Sequence, residues 1–181
     1  DYVYSGEGTV PFTEADEPAP VNIYGKSKYE GELAVKAETD NHYILRISWV
    51  FGINGKNFVK TMLNLSEKYS DLRVVNDQIG SPTYTPDLAR LIANMLFSGK
   101  YGTYNATNGG NYISWCDFAK EIFRQAGKNV EVTPVTTAEY GVSKAKRPYN
   151  SRMSKEKLAS AGFELLPHWD DALNRYLRVL K

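Results

Sequence analysis

The chain has 181 residues, 42% of them apolar, which is enough for one substantial core or for one domain and part of a second. Basic and acidic residues number 22 and 21, and no run of like charges marks a tail, so nothing in the charge argues for nucleic acid or an anionic membrane; a small anion can still be held locally. The single cysteine, Cys116, excludes an intrachain disulfide, and its apolar helical setting reads as a buried structural thiol in a reducing compartment.

No apolar stretch reaches the ~18 residues of a spanning helix, and the first residues lack a signal-peptide pattern, so a cytoplasmic location is expected. Tyr2-Val3-Tyr4 reads as the end of an apolar strand, with no initiator methionine before it. This predicts that the chain begins inside a larger fold. A breaker-rich, acidic loop follows through Gly6, Gly8, Pro11, Pro18 and Pro20. Its carboxylates, Glu14 to Glu17, are of the type that touches a divalent ion such as Mg2+, although a solvated loop explains them equally.

A helix is expected from about Asn22, as cap, to Thr39, with Gly25 and Gly31 as poor formers that allow close approach. Tyr43 to Ser48 is a near-continuous apolar run, expected as a parallel strand buried on both faces. Phe58 to Tyr69 reads as an amphipathic helix with Phe58, Met62 and Leu65 on one face, and Leu72 to Val75 as a short strand. Asp77 to Pro86 reads as a turn-rich loop, with Thr85 or Asp87 capping a helix through about Phe97. Tyr104 to Thr107 is a further strand, Ser114 caps a helix ending at Gly127, and Val130 to Val132 alternates as an exposed strand. Two helices open at Ser154 and Trp169. Alternating strands and helices argue for an α/β fold.

The stretch with chemistry in it is Tyr24-Gly25-Lys26-Ser27-Lys28. Tyrosine and lysine four residues apart share a helix face. An ammonium about 4 Å from a phenolate favours it by roughly 4 kcal/mol at an effective dielectric near 20, so a phenol so placed can act as general acid or base near neutral pH. On spacing alone, a packed ring beside a solvated lysine is the commoner meaning. His42 and His168 have no partners at metal spacing and read as structural or solvated.

Together with this pair, Asp1-Tyr2-Val3-Tyr4, Gly31-Glu32, Arg46-Ile47-Ser48-Trp49, Asn57 to Thr61, Asn76 to Thr83 and Arg147 to Ser151 give a pattern that strongly resembles the dTDP-4-dehydrorhamnose reductases, extended short-chain dehydrogenases/reductases of the sugar-nucleotide group. The resemblance covers essentially the whole chain. It implies the later part of a Rossmann-like doubly wound parallel sheet over residues 1–53, with 85–107 returning to it, and a smaller α+β substrate-binding lobe over 54–84 and 108–181.

It also implies roles. Tyr24 matches the acid that protonates the sugar carbonyl oxygen, and Lys28 the partner that tunes the phenol and holds the nicotinamide ribose of NADPH or NADH. Trp49 matches a residue lining the sugar pocket, and Asp1 one that contacts substrate; core packing is the plainer reading of Trp49. Gln78 either meets the sugar nucleotide or satisfies its loop backbone. Arg147 suits a diphosphate clamp or a surface ion pair. The catalytic hydroxyl that would precede Asp1 and the glycine-rich cofactor turn lie outside this sequence, so the chain alone is expected to be inactive, and the edge of a partial sheet invites homodimerisation. Two other functions share the frame: a non-catalytic binding subunit like that regulating methionine adenosyltransferase, and an epimerase or dehydratase that regenerates its NAD.

Overall fold

The computed structural model describes residues 1–141 and 146–180. In chain order the elements are α1 (Ile23–Glu38), β1 (Tyr43–Arg46), β2 (Val50–Phe51), α2 (Phe58–Ser66), β3 (Asp71–Val75), β4 (Ile79–Gly80), β5 (Thr83–Tyr84), α3 (Thr85–Leu96), β6 (Gly102–Asn105), β7 (Ile113–Ser114), α4 (Trp115–Ala126), β8 (Glu131–Val135), α5 (Thr137–Tyr140), β9 (Asn150–Ser151), α6 (Glu156–Ser160) and α7 (Trp169–Val179). Among the described residues, β1 pairs with β6, β2 with β5 and β3 with β8, all in parallel. β4 is the middle strand of a separate sheet, antiparallel to β7 and parallel to β9. Parallel pairs joined through helices make this an α/β fold, as the sequence indicates.

Local chemistry sets most helix ends. The Asn22 side chain accepts from the Gly25 amide at 2.8 Å, and Asn57 does the same for Lys60 at 3.0 Å. Ser114 and Asp117 form a reciprocal capping box at the start of α4, and Gly127, at φ 66°, takes the left-handed turn that ends it. α3 departs from expectation: neither Thr85 nor Asp87 caps it, because Tyr84 is the capping residue without a side-chain bond and Pro86 sets the first turn.

Three other expectations are corrected. Tyr2 to Tyr4 is a turn closed by the Tyr4 amide on the Asp1 carbonyl at 3.1 Å, and Val3 and Tyr4 are buried against Met153 rather than in a sheet. The segment from Asp77 to Pro86 contains β4 and β5, whose partners lie far along the chain. β8 is exposed at Glu131, Thr133 and Pro134, as expected, but Val132 and Val135 are buried. In β1, Tyr43 to Leu45 are half-buried and only Arg46 is enclosed.

The largest core joins Phe51, Val59, Met62 and Val74 to Phe118, Ile122, Leu173 and Tyr176, with Cys116 fully enclosed. A second packs Leu91 and Met95 of α3 on Tyr104, Leu158 and Leu166. Apolar side chains are left exposed on α1 (Ile23, Leu33, Val35) and at the end of α3 (Leu96, Phe97). Among the described residues no helix is long and apolar enough to cross a membrane.

Candidate active site

Helix α1 buries little of itself, only Gly25 and Glu32. Apart from Tyr29, which packs on the small core of Val3, Tyr4 and Met153, two specific contacts hold it. Glu32 receives the Arg46 guanidinium through two bonds, Nε to Oε1 at 2.9 Å and Nη2 to Oε2 at 2.6 Å, and Arg46 also donates to the Tyr4 hydroxyl at 2.9 Å. Burial works against the Arg46 charge, but the bonds to Glu32 and Tyr4 outweigh it and raise its pKa well above the ordinary value. At the helix start, Gly25 lies so close to Tyr2 that a Cβ there would stand 2.1 Å from the Tyr2 carbonyl oxygen. Here the sequence needs glycine for approach, not for φ.

These contacts bring Tyr24 beside Tyr2, ring edge to ring face, with centroids 5.3 Å apart. Tyr24 is 58% exposed, and the Lys28 ammonium lies 5.4 Å from its ring centroid. The pair thus shares one solvent-facing side of α1.

Asp1, Tyr2, Trp49, Gln78, Trp115, Arg147, Pro148 and Ser151 line one cavity of about 240 Å³. Four of the predicted site residues, Asp1, Trp49, Gln78 and Arg147, therefore meet, although 146 positions separate the first from the last. Tyr24 and Lys28 are outside the lining, and Tyr24 reaches it through Tyr2. The Asp1 carboxylate accepts from Ser151 Oγ at 2.8 Å. Gln78 is buried and donates to Thr137 Oγ1 at 2.9 Å, while that hydroxyl donates to Asp77 at 2.7 Å. Arg147 is exposed at the rim.

Trp49 alone among the described non-glycine residues has a positive φ, 48°. A bulky residue in this region costs on the order of 1–3 kcal/mol and persists where its surroundings fix it. Its indole stacks on Trp115 with centroids 3.7 Å apart and planes 15° from parallel.

A second space of about 580 Å³ opens beside the cavity and shares Gln78, Trp115 and Arg147 with it. Phe58, Met62, Leu65 and Leu72 make its apolar wall, and Thr137, Tyr140 and Arg73 supply polar atoms. Trp115 is the residue that sequence reasoning misses. As the first residue of an amphipathic helix it reads as core, and only the pairing of Ser114 with Ile79 reveals that it faces Trp49.

Nothing in the early loop supports the divalent-ion reading. Glu14 accepts from the Asn105 amide at 2.6 Å, and Asp16 binds the Thr13 amide and hydroxyl. Among the described residues no group of three His, Cys, Asp or Glu side chains is placed to hold a metal.

The frame is that of a Rossmann-like α/β protein of the short-chain dehydrogenase/reductase kind. The chain belongs to the RmlD substrate binding domain family, whose model matches residues 1–181. It is 46% identical over 178 residues to the spore coat polysaccharide biosynthesis protein SpsK of Bacillus subtilis, covering 98% of this chain and 62% of that protein. Among solved structures it is similar to a dTDP-4-dehydrorhamnose reductase ortholog from Clostridium acetobutylicum (44% identity, TM-score 0.94) and to the dTDP-4-dehydrorhamnose reductase of Bacillus anthracis in complex with NADP (42%, TM-score 0.92). Each match covers 99% of this chain and 63% of the other. The chain thus spans less than two thirds of the length of these relatives.

Proposed function

We propose that the protein carrying this chain reduces the 4-keto group of dTDP-4-dehydro-L-rhamnose to give dTDP-L-rhamnose, at the expense of NADPH or NADH. The observation that carries the reading is the convergence of Asp1, Trp49, Gln78 and Arg147 on one cavity that abuts Tyr24 through Tyr2. Relatives named for this reaction, one of them bound to NADP, support it and favour NADPH. The bound nicotinamide supplies the hydride.

This chain's residues do the rest. The Tyr24 hydroxyl gives its proton to the sugar carbonyl oxygen, and Lys28 holds the ribose and stabilises the phenolate left behind. The cavity is smaller than the ~300–1,000 Å³ of whole-ligand sites, so it takes the sugar ring against Trp49, with Asp1 and Gln78 reading its hydroxyls. The adjoining apolar groove takes the nucleoside, which leaves Arg147, common to both spaces, beside the diphosphate. We assign residues 1–53 and 85–107 to the nucleotide-binding sheet and the remainder to the substrate lobe; the two cores follow this division in the main, with Phe51 packing across it in one direction and Leu158 and Leu166 in the other. A cytoplasmic location and a homodimer complete the proposal.

The test is the whole gene product with dTDP-4-dehydro-L-rhamnose, followed by nicotinamide absorbance. Stoichiometric oxidation of NADPH is expected, and Tyr24→Phe is expected to lower turnover by about 10²- to 10⁴-fold. Absence of net consumption of both NADPH and NADH by the wild-type protein would overturn the reading in favour of an epimerase, a dehydratase or a binding subunit.

A further inference from the structure

The Trp49 indole packs against a residue that has no side chain. A Cβ built on Gly80 would stand 3.0 and 3.1 Å from Trp49 Cε2 and Cζ2, and 3.0 Å from Ser151 Cβ. Gly80 does not have a positive φ, so its backbone would accept alanine. The constraint is space alone. Because β4 is hydrogen-bonded on both sides, to β7 and to β9, its backbone has nowhere to retreat, and an added methyl must push the indole or Ser151.

Trp115 presses on Trp49 through the stack described above. It is itself braced by Phe58, whose ring centroid is 4.6 Å from its own, and by the capping box that fixes the first turn of α4. Trp49 and Trp115 are only half-buried, and both line the cavity. A pair serving the core alone would be enclosed; these two keep surface turned to the cavity.

We propose that Gly80 and Trp115 are positioning residues that clamp the Trp49 indole as a fixed wall of the cavity and so set the orientation of the ketosugar ring relative to Tyr24. The inference rests on the ketosugar-reductase reading above. It assigns Gly80 a reason to be glycine and Trp115 a part in substrate recognition. Neither residue touches the reacting atoms. Their effect on the reaction passes through Trp49, whose angle decides whether the carbonyl oxygen meets the Tyr24 hydroxyl.

The experiment compares the natural protein with Gly80→Ala, Trp115→Leu and Trp115→Phe, measuring KM for dTDP-4-dehydro-L-rhamnose and for NADPH separately. Gly80→Ala and Trp115→Leu are expected to raise the sugar-nucleotide KM about tenfold or to lower kcat by up to about 10²-fold, with the NADPH KM unchanged. Trp115→Phe, which keeps an aromatic stack, should return within about threefold of wild type. Wild-type constants for both folded variants, or equal changes in both KM values, would overturn the proposal.

A thermal-unfolding cycle decides the matter where activity cannot. Gly80→Ala should lower Tm in the wild-type background and less in Trp49→Ala, where the indole contacts are gone and only the contact with Ser151 Cβ remains. Equal losses in both backgrounds would show that Gly80 does not act through Trp49. Because this cycle needs no turnover, an inactive wild-type protein would overturn the reductase reading while the melts still judged the clamp.

Discussion

Glu32 and Arg46 meet as a two-pronged ion pair sealed from solvent, with side chains 9% and 3% exposed. The contact ties a helix with almost no apolar footing to the end of β1, and the Tyr4 hydroxyl extends it to Asn105 of β6 at 2.9 Å. Glu32→Ala would leave the guanidinium buried without its counter-charge. A loss of about 3–5 kcal/mol is expected in urea denaturation, the usual cost of breaking such a pair from one side. A variant as stable as wild type would show that α1 is held elsewhere.

Gly25 gives a second, sharper handle on the same helix. In Gly25→Ala the new methyl meets the Tyr2 carbonyl oxygen and Pro20 Cβ, so α1 must move away from Tyr2. The expected cost is about 1–3 kcal/mol, and turnover should fall more than in a Gly31→Ala control, because a Cβ at Gly31 meets open space.

Asp87 governs part of the acid stability. It is buried; that burial pushes its carboxyl up, but two bonds from Arg175 and one from Asn108 outweigh it and hold the pKa below the usual carboxylate value. A lowered folded pKa stabilises the protein fully above the unfolded value, near 4, and the contribution is lost as pH falls through the folded value. Asp87→Asn should therefore cost about 1–3 kcal/mol at pH 7 and flatten the loss of stability on the acid side, seen in denaturation curves from pH 7 to 3.

Arg147 is expected to act through its planar fork. Arg147→Ala should raise the KM for the sugar nucleotide about tenfold or more, and Arg147→Lys should recover only part of it, since a point charge does not reproduce two-pronged contact with phosphate oxygens. Full recovery in the lysine variant would reduce the residue's part to simple charge.

Where the chain carries its own punctuation, the sequence predicts the outcome. Asn22 and Ser114 announce their helices, Gly127 ends one, and the apolar spacing of Phe58, Met62 and Leu65 places a face correctly. What stays hidden is everything set by distant pairing. β4 and β5 are two residues each, too short to show a period, and exist because Ile113, Ser151 and Val50 arrive beside them. The turn at Tyr2 to Tyr4 looks like a strand because its apolar residues are buried, but they enter a small core with Met153 instead of a sheet. The site divides the same way: motif resemblance marks Trp49, Gln78 and Arg147, whereas Trp115 and Gly80 acquire meaning only when β4 is laid against β7.

The hydrogen bond between Asp1 and Ser151 joins residues 150 positions apart, and the Trp49 stack spans 66. Loops of that length close late, after the local helices have formed and after their entropy cost has been met by other contacts. The cavity is therefore expected to complete no earlier than the core, whose Phe51 and Tyr176 also meet from far apart in the chain. Its two stacked indoles make a built-in clock for that step, with a fluorescence change that lags the recovery of helical circular dichroism.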